Sequence, residues 1–216
     1  MSAEECDAYL DKIMGESSSI LSGASDAQLR VMLFDVLEEF FDLSNSWQET
    51  FEYIVVAELQ DYKLEPNEGR IVRLLETYDQ NRVPQPAVMQ NFGEVHFLYP
   101  YTNTQPMWSV VIKNVTGPLD CHPPHVPDWV LPNYSRTITA GILGYMMIQP
   151  GTSYFQPTLG NFNLRKYRDG VMQARVATVK ANKVGAQAWV YPQQFRTSTQ
   201  RGGISTFNVH PTPRTQ

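Results

Sequence analysis

The sequence predicts an α+β protein, and three observations carry that reading. Apolar residues recur at helical spacing near the start and again in the last third of the chain; between those regions the period changes to two; after Gly185 every period disappears. A hydrophobic content of 42% over 216 residues supports a sizeable core, and the chain is divided here into a folded part, 1–185, and an extended C-terminal arm, 186–216.

The elements follow in order. Residues 3–21 read as a modest helix that runs into the Ser/Gly stretch from Ser17 to Gly23. A second helix, 25–43, is better signed. Ser25 and Gln28 form a capping box, and Leu29, Leu33, Val36, Leu37 and Phe40 share one face. Its other side carries Asp35, Glu38, Glu39 and Asp42 at i, i+3, i+4 and i+7, an acidic stripe. The β region spans 47–116. It opens with Trp47, Phe51, Tyr53, Val55 and Ala57 on one strand face, and strand signals return at Ile71–Tyr78, Val95–Tyr99 and Met107–Val115. Pro66 to Gly69, Pro84 with Pro86, and Pro100 to Pro106 supply the turns. A proline-rich crossing, 117–132, leads to a helix at 134–149 with Ile138, Ile142 and Tyr145 inward. The last helix, 161–183, alternates Leu164, Tyr167, Val171, Ala174 and Thr178 three and four apart, which makes a packing seam. The arm beyond it keeps spaced aromatics, Trp189, Tyr191, Phe195 and Phe207, and so reads as a segment that orders against a neighbour.

Charge divides by position. Residues 1–133 carry 21 Asp and Glu against 7 Lys and Arg, a net of −14, while residues 134–216 carry 10 Lys and Arg against Asp169 alone, a net of +9. A chain polarised in this way is suited to meet unlike surfaces at its two ends, or to pair with copies of itself. The basic side chains that would do so are Arg165, Arg168, Arg175, Lys180 and Lys183 on the last helix and Arg196 and Arg201 on the arm, beside the arm's aromatics.

Motifs for chemistry are missing. There is no P-loop, GxGxxG, GxSxG or HExxH pattern, and the stripe carboxylates read as a solvated or partner-facing row rather than an acid/base pair. Cys121-His122-Pro-Pro-His125 is the best metal candidate. A closed site takes four ligands, however, and only Cys6, His96 and His210 remain to complete one, so it reads as a proline-rich loop. No cofactor is expected and no catalysis. The acidic first ten residues lack a signal-peptide core, and the longest apolar run, Ala140–Ile148, is too short for a membrane span.

Taken together, the capped acidic helix, Trp47-x-x-Thr50, and Tyr62-x-Leu64-x-Pro66-x-x-Gly69-x-Ile71-x-Arg73-Leu74-Leu75 form an ordered series. It continues through Phe97-Leu-Tyr-Pro-Tyr101, Trp129, Tyr134, Gly141-Ile-Leu-Gly144, Arg168-x-Gly170, Ala174-Arg175-Val176 and Gln200-Arg-Gly-Gly203. This order resembles the head-to-tail adaptor, or neck, proteins of tailed bacteriophages, those of short-tailed phages in particular. The resemblance implies a helical bundle with an inserted small antiparallel β domain, and a ring of twelve copies beneath the portal vertex. That ring would extend the channel for double-stranded DNA without sequence-specific contact and give the tail nozzle a docking surface. It also implies a virion location in the neck or tail, assembly in the host bacterial cytoplasm, and portal binding through the last helix and the arm. The competing reading is a nucleic-acid-binding packaging or regulatory protein that uses the basic C-terminal region.

Overall fold

A computed structural model describes residues 3–116 and 126–181, with side chains from Leu10 onward. The architecture is α+β. Four helices, α1 (Ala3–Ile20), α2 (Asp26–Ser44), α3 (Val130–Met147) and α4 (Pro157–Ala181), enclose six strands in sequence: β1 (Gln48–Val55), β2 (Asp61–Lys63), β3 (Arg70–Asp79), β4 (Ala87–Asn91), β5 (Glu94–Phe97) and β6 (Gln105–Asn114).

The helices form one core. Leu29, Leu33, Val36, Leu37, Phe40 and Phe41 of α2 pack with Ile138, Ile142 and Met146 of α3 and with Tyr167, Val171 and Ala174 of α4. The capping box at Ser25 is formed in both directions, and α2 ends at Asn45 in the left-handed conformation, its N–H donating to the carbonyl of Phe41. Glycines bring α3 against its neighbours. A Cβ at Gly141 would lie 2.7 Å from Val36 and 2.9 Å from Tyr167, and one at Gly144 would lie 2.7 Å from Leu164. The Gly141-x-x-Gly144 pair therefore serves close packing within the chain, and the Tyr167 hydroxyl completes it by donating to the Val36 carbonyl at 3.0 Å.

The strands make two antiparallel sheets, β1-β6-β3 and β2-β5-β4. They share a second core of Val55, Ile71, Met107 and Val111 from the first sheet and Val95 and Phe97 from the other, with Leu64 just beyond β2. β1 pairs with β6 from Gln48 opposite Ile112 to Val55 opposite Gln105, so the two strands that join the sheets to the helices lie side by side.

Several expectations are corrected. Trp47 does not share the face of Phe51, Tyr53 and Val55; it precedes β1 and belongs to the helical core, with its ring 5.1 Å from that of Phe41. Ala57 lies in a turn beyond the strand. β2 and β4 are additional strands. α3 begins at Val130 rather than 134, because Pro132 falls in its first turn, where no N–H is needed. α4 begins at Pro157 rather than 161, with proline at the first helical position, where its fixed φ suits the helix. Lys183 and the arm lie outside the described residues.

Candidate interface surfaces

Three of the four carboxylates of the acidic stripe have partners inside the chain. Arg70 of β3 pairs with Glu38, and Arg73 pairs with Asp42 at 3.5 Å. Glu39 accepts a hydrogen bond from Tyr145 of α3 at 2.7 Å. Of the four stripe carboxylates only Asp35 is exposed and has no partner among the described residues. The cause is register: β3 runs past α2 and delivers two guanidiniums to the row of carboxylates.

Below this latch lies a buried joint that the sequence reading did not single out. Lys113, with its side chain only 4% exposed, donates to Glu49 at 2.7 Å, and its ammonium sits 4.8 Å from the centre of the Trp47 ring. Asn114 donates from Nδ2 to the Glu38 carbonyl at 3.0 Å. Gly69, at φ 68°, turns under Trp47, where a Cβ would come within 2.6 Å of the Asn114 carbonyl and 2.8 Å of the indole. Bundle and sheets are thus clamped by one aromatic wedge, the Asn114–Glu38 hydrogen bond and two outer ion pairs, while the Lys113–Glu49 pair ties β6 to β1 beneath the wedge.

Two tyrosines report on this packing. Burial, aided by the Glu39 carboxylate, pushes Tyr145 up to about 12. Burial also pushes Tyr53 up to about 12, against the opposing effect of its 2.7 Å hydrogen bond with Ser109. Both are raised above the unfolded value near 10, so their contribution is complete below pH 10 and is lost as pH climbs through 12. Absorbance titration of the native protein is expected to show at least two tyrosines ionising together with alkaline unfolding, after the exposed ones.

α4 has two faces. Of the expected seam, Leu164, Tyr167, Val171 and Ala174 are buried, whereas Thr178 is half-buried, its hydroxyl donating to the Ala174 carbonyl at 3.0 Å. Outside this seam Arg165, Arg168, Arg175 and Lys180 are exposed, with Arg168 and Arg175 along its flank. Between them, at i, i+4 and i+7, lie Met172, Val176 and Val179, each about half exposed; Phe162 is likewise exposed and lies under Lys166, whose ammonium is 4.6 Å from the ring centre. This apolar row on the outer face was not read from the sequence, although its spacing was visible there. Trp189, Tyr191, Phe195, Arg196 and Arg201 lie outside the described residues.

A groove of about 540 Å³ between α1, α3 and α4 carries charges of both signs, Glu16 and Asp169 with Arg136 and Lys166. No group of three or more His, Cys, Asp or Glu among the described residues could hold a metal ion. His96 is engaged with Asp61 at 2.7 Å, whereas Cys121, His122, His125 and His210, and the side chain of Cys6, lie outside the described part. Among the described residues no helix is long and apolar enough to cross a membrane. Neither the protein-family models nor the curated proteins contain a match to this chain.

Proposed function

We propose that this chain is the repeating subunit of a head-to-tail adaptor ring in a tailed bacteriophage, placed between the portal and the tail nozzle around the DNA channel. The observation that supports it best is the two-faced α4. A helix whose inner seam already completes the core has no folding reason to carry a second apolar row flanked by cations, and such a row is a docking surface. The clamped α+β body is consistent with a part that transmits position rather than performs chemistry. Twelve copies, the portal, the tail nozzle and a neck location enter from the resemblance of the ordered motifs.

The test is genetic and structural. A phage carrying a stop codon early in this gene is expected to make DNA-filled heads that lack tails and leak DNA, with tails restored by the chain supplied in trans. Tailed, infective particles without the protein would remove the reading.

The cations of α4 also favour a second reading, a packaging or regulatory protein that binds nucleic acid. Duplex binding then falls steeply with salt, by several orders of magnitude between about 50 and 200 mM if six or more phosphates are contacted. Weak binding with a shallow slope excludes that reading. The exposed Met172, Val176 and Val179 between the cations weigh against it, since phosphate offers apolar groups nothing.

A further inference from the structure

We infer that the outer face of α4 docks on the outer face of α2 in a second copy of the chain. This deepens the adaptor reading, on which it rests for its biological setting, by assigning the joint between neighbouring subunits. The argument begins with what α4 exposes: Met172 and Val176 in the centre of the row, and Arg165, Arg168 and Arg175 along its flank. A symmetric contact of α4 with α4 would set those guanidiniums against their own copies, with Asp169 as the one acid on each helix to offset them. The mate must therefore be a different and acidic surface.

α2 supplies it. Its inner face is buried, while Val31 is 55% exposed on the opposite side, one turn before Asp35. Asp35 is the stripe carboxylate left without a partner once Arg70, Arg73 and Tyr145 have engaged the other three. Val31 and Asp35 therefore offer one apolar group and one carboxylate on a single helical face, the complement of Met172 with Arg168 and Arg175. Because the two faces differ, the contact is heterologous: repeated copies close a ring or extend a filament and do not stop at a dimer.

Sedimentation velocity of the full chain over a concentration series tests this directly. In low salt the wild-type chain is expected to form concentration-dependent oligomers larger than dimers, and these should weaken as salt shortens the screening length to about 3 Å at 1 M. Met172→Glu with Val176→Glu is expected to weaken association by at least about tenfold, a change of 1.4 kcal/mol, while the thermal melt stays as in the wild type. Arg168→Glu with Arg175→Glu is expected to do the same, and adding Asp35→Arg should restore association. If the glutamate pair on the apolar row disturbs folding, the arginine reversal decides alone, since both residues are exposed. A wild-type chain that stays monomeric in low salt overturns the inference, as does reversal at 168 and 175 that Asp35→Arg fails to rescue. Either result leaves the adaptor reading to the tail-less-particle experiment, which does not depend on how copies associate in solution.

Discussion

Val171→Asp is expected to unfold the helical bundle. Val171 is 2% exposed and stands between Tyr167 and Ala174 on the seam of α4, inside the core shared with α2 and α3. A carboxylate there loses its water and gains no partner, and it also removes the apolar contacts of the valine. Breaking a buried arrangement in this way costs about 3–5 kcal/mol, a large part of a stability of about 5–15 kcal/mol. Val171→Ala provides the control, with an expected cost of roughly 2 kcal/mol from lost burial and a small cavity. Urea unfolding followed by circular dichroism reads both. A soluble Val171→Asp protein with the wild-type midpoint would mean that the seam faces water.

Glu49→Ala is expected to have the next largest effect, through a residue that it does not touch in sequence. It strands the Lys113 ammonium, 4% exposed, with only the Trp47 ring beside it. The expected loss is about 3 kcal/mol, at the low end for a broken buried pair, because Glu49 itself keeps 31% of its side chain in solvent and water can reach part of the site. Replacing both partners, as Glu49→Leu with Lys113→Met, should recover most of that loss, since an apolar pair has no desolvation penalty to offset. A double-mutant cycle on urea midpoints measures the coupling. Two single substitutions whose costs simply add would show that the pair does not interact.

The parts of this fold that the sequence revealed are those written locally. α2 is announced by Ser25 and Gln28, two residues three positions apart that cap one another, and the α4 seam by a spacing that needs no knowledge of its partners. β2 was hidden because three residues, Asp61–Lys63, are too few to show a period; β4 was hidden because its exposed face carries Val88 among polar neighbours. The fate of the acidic stripe could not be read locally at all. Arg70 and Arg73 are an odd number of residues apart and on a regular strand would point to opposite sides. The irregularity between Ile71 and Arg73 changes that parity, so both reach α2. Lys113 was missed for a related reason. A lysine at the end of an apolar strand reads as an exit to solvent, and the carboxylate that holds it inside lies 64 positions away.

The side-by-side course of β1 and β6 gives this protein a property of a different kind, which concerns inheritance more than strength. Gln48 and Ile112 are opposed across one ladder, so the chain leaves the helices and returns to them at adjacent points. To the bundle, everything between is a loop whose ends already meet, and the cost of closing a loop grows only slowly with its length. The strands also keep a core of their own. A lineage can therefore lengthen, trim or exchange the sheet-bearing insert while the helices keep their register, provided that the replacement still presents a tryptophan to the bundle and a cation beneath it. Variation should then accumulate at the far tips of the sheets, and constancy at their root.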